Sequence, residues 1–211
     1  MRVRKKPWAK KELEINNHIV HEPEKWKGKW NEYFGNHYPL YVEIGCGKGG
    51  FLSKNAEAYP RINFIGIERQ STVVAIAARK MEEDFSNVAL IWSAAEKLSD
   101  LFEVGELKRL YINFCDPWPK ERWMKRRLTY RGFLEIYKKV FGESGEIFFK
   151  TDNKELFEFS KNEFQESGWD LSYVTTDLHH SNYEGNIMTE YEKRFSEMGM
   201  PIYHIQARFQ R

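Results

Sequence analysis

Cysteine is scarce. Cys46 and Cys115 are the two in 211 residues, and their separation fits no metal-ligand spacing. Free thiols in a cytoplasmic protein are therefore expected, with no metal site. His179 and His180 are adjacent and lack the i, i+4 partner or cysteine pair that zinc uses. No apolar run approaches the ~20 residues a membrane helix needs, so no membrane span is expected. The basic first seven residues are followed by no apolar stretch, which argues against a secretory signal. Internal repeats and low-complexity tracts are missing too. With 41% hydrophobic and 30% charged residues, the chain has the balance of a soluble globular protein. Aromatic residues are plentiful at 16%, including 7 Trp, and the length allows one sizeable core and marginally two.

The formal net charge of +2 hides two basic stretches. Residues 1–40 carry 9 Lys/Arg against 5 Glu, and residues 120–139 carry 8 against 2. The remainder is acidic. Basic patches on an acidic body suit a polyanionic partner held at chosen places, although a solvated charged surface has the same composition.

Residues 1–35 read as an irregular basic arm, with Pro7, Trp8, Pro23, Trp26 and Trp30 in it. From about residue 36 to 211 apolar strands and helical spacings alternate. Strands are expected at 40–44, 62–67, 88–92, 109–114, 146–150 and 169–175, with a final edge strand at 202–209. Helices are expected at 51–59, 71–85, 98–102, 131–141 and 155–167. This alternation indicates an α/β fold, a parallel sheet with helices on both faces. Ligands in such sheets sit at the carboxyl ends of the strands.

The first strand runs into Glu43, Gly45, Gly47 and Gly50, the last three spelling G-x-G-x-x-G. Alone that match to a dinucleotide site is weak. Glu43 points to the same mouth, where a carboxylate would repel a pyrophosphate and attract a cationic ligand. S-adenosylmethionine carries an ammonium and a sulfonium and no phosphate. Glu68 ends the second strand, placed to accept ribose hydroxyls from either kind of nucleoside cofactor. The fourth strand leads to Asp116-Pro117-Trp118-Pro119-Lys120, whose two prolines stiffen an acid and an aromatic. A planar base suits that grip; a proline-stiffened loop with a core tryptophan is the plainer reading. Five of the eight residues 120–127 are basic, with Trp123 among them, a pattern for phosphates and stacked bases. After the fifth strand Asp152 and Asn153 suit either a helix cap or a ligand contact. Residues 189–195 fall in a loop or short helix, and composition alone gives them no function. Cys115 reads as a small buried residue rather than a nucleophile.

Glu43, Gly45, Gly47 and Gly49, Gly66-Ile67-Glu68, Asp116 to Lys120, Lys125-Arg126-Arg127, Thr151-Asp152-Asn153 and Thr189-Glu190-Tyr191-Glu192 occur in this order. Together they closely resemble the bacterial tRNA (guanine-N7-)-methyltransferase, TrmB family, across roughly residues 26–209. The resemblance implies a Rossmann-like class I methyltransferase: a mostly parallel seven-stranded sheet with helices on both faces and an antiparallel edge strand. It implies transfer of a methyl group from S-adenosylmethionine to N7 of the variable-loop guanine, position 46, of tRNA, by a monomer or homodimer. It also assigns expected roles. Glu43, Gly45, Gly47, Glu68, Ala94 and Asp116 would hold the cofactor, with Asp116 also catalytic. Lys120, Asp152, Thr189, Glu190, Tyr191 and Glu192 would line the substrate pocket. Arg122, Trp123, Met124, Lys125, Arg126 and Arg127 would touch RNA. Two positions depart from the family: Ala94 stands where an acid is frequent, leaving Glu96 or backbone groups to meet the adenine, and Trp123 stands where a histidine is frequent.

Two other readings remain at this point. G-x-G-x-x-G alone would serve a nicotinamide-dependent oxidoreductase, which cofactor binding by calorimetry would reveal. An RNA-binding protein without catalysis would bind RNA and transfer no methyl group.

Overall fold

The computed structural model describes residues 6–81 and 85–211. The first five residues of the basic arm, and residues 82–84 of the helix expected at 71–85, lie outside the described residues. Seven strands form one sheet in the order β3-β2-β1-β4-β5-β7-β6. They are β1 (Leu40–Ile44), β2 (Asn63–Glu68), β3 (Val88–Trp92), β4 (Leu107–Asn113), β5 (Ser144–Thr151), β6 (Asp170–Thr175) and β7 (Tyr203–Gln210). The first five are parallel, while β7 pairs antiparallel with both β5 and β6. This is the expected class I methyltransferase arrangement. One detail differs. The 202–209 strand was expected at the edge, yet β7 lies one place in and β6 takes the edge. Its alternation of inward Ile205, Ala207 and Phe209 with polar neighbours is a pattern that an edge strand and its neighbour share.

The eight helices among the described residues are α1 (Pro7–Ile15), α2 (Trp30–Phe34), α3 (Gly50–Ala58), α4 (Ser71–Lys80), α5 (Leu98–Leu101), α6 (Arg131–Phe141), α7 (Lys154–Glu166) and α8 (Glu190–Glu197). Strand alternation sorts the sheet's side chains onto two faces. Val42, Ile44, Ile65, Ile67, Leu110, Ile112, Ile147 and Phe149 meet the larger core with α5, α6 and α7. In α6, Phe133, Leu134, Tyr137, Val140 and Phe141 recur at helical spacing and are all buried, which is why this segment is a helix on that face. The opposite face carries Phe64, Tyr111 and Phe148 against α3 and α4.

Residues 7–34, expected to be irregular, hold α1, a 3-10 turn at Pro23–Trp26 and α2. Trp30 is 2% exposed and donates its indole N–H to Leu101 O at 3.0 Å. Ile19 forms a parallel bridge to Leu90 of β3, with Val20 N donating to Leu90 O and Leu90 N to His18 O. That contact covers part of an otherwise open sheet edge. The high charge of the segment masked these anchors, which its short apolar pieces, Ile19-Val20 and Trp30 to Phe34, supply. Among the described residues no helix is long and apolar enough to cross a membrane.

Candidate functional site

Parallel register brings Ile44 beside Ile67 and Ile112, and Asn113 beside Lys150, so four strands end along one line. The chain leaves β1 through Gly45, Gly47 and Gly49, with φ of 74°, 55° and 78°. Side chains avoid that left-handed region, so glycine is what lets the strand turn at once into α3. Gly66 serves differently: a Cβ there would lie 2.3 Å from Leu52 Cδ1 and 2.8 Å from Cys46 Sγ. Its absence lets α3 press onto β2.

Two cavities open over these strand ends. The larger, about 970 Å³, is lined by Gly45, Glu68, Ala94, Glu96, Asp116, Trp118, Lys125 and Arg126 among others. The smaller, about 220 Å³, is lined by Glu43, Gly47, Thr189, Glu190 and Tyr191. Gly45, Asn113 and Phe114 line both, so the cavities share a wall. A combined space of this kind is ample for a nucleoside-sized ligand and a second planar group.

Glu43 is 2% exposed and lies on the α3 face of the sheet. Its Oε1 accepts from Asn113 Nδ2 at 2.9 Å. Its Oε2 and Asn113 Oδ1 are buried and have no partner. Burial pushes the Glu43 carboxyl up to about 8, against the lowering pull of Asn113 and Lys150. The site therefore holds two hydrogen-bond acceptors, one able to become an anion, that call for a donor, and an ammonium group fits them.

Glu68 accepts from Gln70 N at 2.9 Å. Burial raises its carboxyl, and the backbone N–H groups of Gln70, Gly47 and Arg69 oppose that rise. Ala94 and Glu96 follow on the next connection, and both face the larger cavity. Asp116 is exposed at its rim and has no hydrogen-bond partner among the described residues. Burial pushes the Cys115 thiol up to about 12, which removes it as a thiolate nucleophile near neutral pH.

The segment that composition left without a function closes the smaller cavity. Thr189 caps α8 by accepting from Glu192 N at 2.9 Å, and Glu192 Oε2 accepts from Thr189 N at 3.3 Å. Tyr191 donates to Asp152 Oδ2 at 3.3 Å and packs on Phe114 with ring centroids 4.8 Å apart. Thr189, Glu190 and Tyr191 thus face the cavity and Asp152 sits behind Tyr191. Glu192, expected to line the substrate pocket, is fully buried beneath, because its carboxylate closes the capping box and pairs with Lys150. Asn153 caps α7 by accepting from Leu156 N at 2.7 Å.

The basic segment forms a 3-10 turn, Glu121–Arg126. Lys125 and Arg126 reach the cavity wall, and the Arg126 guanidinium lies 4.9 Å from the Trp118 ring centroid. Trp118 and Trp123 meet edge to face at 5.8 Å, with Lys120 and Arg122 over Trp123. Lys120, Arg122, Trp123 and Met124 lie outside both cavity linings. Arg127 turns away from the others, its Nε and Nη2 donating to Pro117 O at 3.0 Å and Trp118 O at 3.1 Å. Sequence reasoning missed Asn113, Phe114 and Lys150. Each stands at a strand's carboxyl end, which was the available signal.

A family model described as "Putative methyltransferase" matches residues 37–205. A protein of Bacillus subtilis (strain 168), named tRNA (guanine-N(7)-)-methyltransferase, is 51% identical and covers 98% of both chains. One of the same name from Listeria monocytogenes serotype 4b (strain F2365) is 51% identical over 100% of both. Among solved structures, an antibiotic-related methyltransferase aligns with a TM-score of 0.65 at 18% identity, covering 91% of this chain and 96% of that one. A SAM-dependent methyltransferase from Aquifex aeolicus aligns with a TM-score of 0.57 at 14% identity, covering 95% and 97%. These two likenesses are of fold.

Proposed function

The chain belongs to the bacterial tRNA (guanine-N7-)-methyltransferase family, TrmB, and from that premise we propose that it transfers a methyl group from S-adenosylmethionine to N7 of the variable-loop guanine, position 46, in tRNA. The observation that carries the cofactor reading is the buried pair of unpartnered oxygens, Glu43 Oε2 and Asn113 Oδ1. Acceptors in that place receive an ammonium group and offer nothing to a pyrophosphate. This argues against a nicotinamide dinucleotide despite G-x-G-x-x-G. Glu68, at the next strand end, accepts the ribose hydroxyls, and the Ala94–Glu96 turn meets the adenine. S-adenosylmethionine, when bound, supplies the activated methyl group.

The protein's own contribution is placement and charge. Guanine N7 already carries a lone pair, so no side chain need remove a proton before attack. Holding N7 in line with the methyl carbon is then the main source of rate. Methyl transfer leaves positive charge on the guanine ring, and the Asp116 carboxylate at the cavity rim stabilises that charge as it develops. Asp116 acts by electrostatics and position, not as a general base. Tyr191, Thr189 and Glu190 form the opposite wall against which the base rests. Lys125 and Arg126 beside Trp118 meet phosphates flanking a guanine splayed out of the tRNA.

Incubation with methyl-labelled S-adenosylmethionine and bulk tRNA, followed by nucleoside analysis, tests this reading. Label is expected in 7-methylguanosine alone, and a tRNA with adenine in place of the variable-loop guanine is expected to take none. Label in another nucleoside, or in none, overturns it.

A further inference from the structure

Arg127 sits in a strongly basic stretch, with five Lys/Arg among residues 120–127, where every cation looks like a phosphate ligand. Its contacts differ from those of its neighbours. Lys125 and Arg126 line the cavity, and Arg127 does not. The Arg127 guanidinium stacks 4.3 Å from the Phe159 ring centroid and donates through two nitrogens to the consecutive carbonyls of Pro117 and Trp118. Its own backbone is tethered on both sides, Arg127 N donating to Met124 O at 3.0 Å and Tyr130 N to Arg127 O at 2.9 Å. Among the described residues it forms no ion pair with an acidic side chain.

The loop it grips needs an outside support. Pro117 and Pro119 have no N–H, so the segment has few donors with which to hold itself. Trp118 adopts φ 44°, a left-handed conformation that a tryptophan takes up only where its surroundings impose it. Asp116, one residue before this pair of carbonyls, has no hydrogen-bond partner among the described residues, so the loop backbone sets where its carboxylate stands.

We propose that Arg127 is a positioning residue: its planar fork holds the carbonyls of Pro117 and Trp118 and thereby fixes Asp116 and the Trp118 ring at the cavity rim, instead of binding a tRNA phosphate. This rests on the methyl-transfer reading given above. The geometry carries it, because two nitrogens of one planar group, fixed relative to each other, meet two successive carbonyls. An ammonium keeps the charge but lacks that rigid planar fork, so it does not hold both carbonyls at one fixed spacing. Charge and shape are therefore separable by one substitution.

The experiment compares Arg127→Lys, Arg127→Gln and Arg126→Gln in the full-length enzyme, with kcat, KM for tRNA and the salt dependence of tRNA binding. Arg127→Lys keeps the charge, yet its kcat is expected to fall by about tenfold or more, since misplacing a reacting group by an ångström costs up to about a hundredfold. Its KM and salt slope are expected to stay at wild-type values. Arg126→Gln, at a residue placed on phosphate, is expected to weaken tRNA binding and lose about one unit of salt slope. Rescue of kcat by Arg127→Lys, or loss of about one unit of slope in Arg127→Gln alone, overturns the proposal in favour of a phosphate contact. Backbone NMR order parameters at Asp116, Trp118 and Lys120 supply a reading independent of activity. They are expected to fall in both Arg127 variants; unchanged order overturns the strut. If wild-type enzyme methylates no tRNA, the methyl-transfer reading fails, while this comparison still decides whether Arg127 holds the loop.

Discussion

Lys150 and Glu192 form an ion pair of 2.9 Å with side chains only 5% and 0% exposed. Lys150 Nζ also donates to Asn186 Oδ1 at 2.6 Å and Ile187 O at 3.0 Å, so all three of its protons are used. Glu192 Oε1 accepts from Asn186 Nδ2 at 2.7 Å. The end of β5 is thereby tied to the start of α8. Burial pulls the Lys150 ammonium down, and the Glu192 carboxylate counters that pull.

Removing one member of this pair strands the other. Lys150→Met is expected to lose about 3–5 kcal/mol of stability, measured by urea unfolding. The double variant Lys150→Met with Glu192→Leu is expected to recover part of it, although it sacrifices the α8 cap. A single variant as stable as wild type would show the pair to be idle.

Glu68→Ala is expected to weaken S-adenosylmethionine binding by about 1.5–3 kcal/mol for each ribose hydrogen bond lost. Isothermal calorimetry measures it. Unchanged affinity removes Glu68 from the site.

Glu43 makes cofactor binding a proton-linked event. Its carboxyl titrates at about 8 in the free protein, so it is protonated at pH 6.5. An ammonium ligand favours the carboxylate and lowers that value. Binding at pH 6.5 is expected to release close to one proton, seen as a dependence of the calorimetric heat on the buffer's ionisation enthalpy. Affinity is expected to rise with pH between 6 and 7.5. No proton release would mean that Glu43 does not meet the ammonium.

The same carboxyl bears on stability with a fixed sign. It binds its proton more tightly folded, at about 8, than unfolded, at the usual 4.5. Its contribution is therefore full below pH 4.5 and lost as pH rises through 8. His204 opposes this at lower pH. Burial drops its imidazole to about 4 from 6.5, so its contribution is present above pH 6.5 and lost as pH falls through 4. Between pH 6.5 and 8 Glu43 acts without that opposition. Glu43→Gln is expected to raise the melting temperature at pH 8 and flatten stability across this window, while weakening the cofactor. Thermal denaturation at pH 6.5 and 8 checks both.

Asp116→Asn is expected to lower kcat by about a hundredfold or more with tRNA affinity largely kept. Single-turnover kinetics with saturating cofactor reads this directly. Near-normal turnover would end the electrostatic role.

The parts of the site legible in sequence are those that follow from strand ends. β3 and α6 fall on the expected residues because their apolar spacing is unambiguous, and Glu43, Glu68 and Asp116 stand where parallel strands stop. The rest depended on contacts between distant segments. Composition gave Glu192 no role and the resemblance set it in the substrate pocket, whereas the approach of Lys150 and the cap at Thr189 turn it inward. Arg127 is indistinguishable from Arg126 by type and neighbourhood; what separates them is that Arg127 faces the proline-rich, donor-poor loop at Pro117 and Trp118. The placement of β7 inside β6 needed pairing that no local pattern encodes.

That placement orders events in time. As the chain is made, residues 170–175 have no sheet neighbour until residues 203–210 enter between them and β5, and such late, long-range pairing is slow. The connection bridging the two strands contains Thr189, Glu190 and Tyr191. Insertion of β7 and closure of the wall facing Glu43 are thus one step. A half-folded molecule, with five parallel strands already joined, would have its glycine turn and Glu68 in place and still lack the far side of its site. Recovery of catalysis during refolding should then lag behind recovery of helical and parallel-sheet signal and coincide with completion of the sheet.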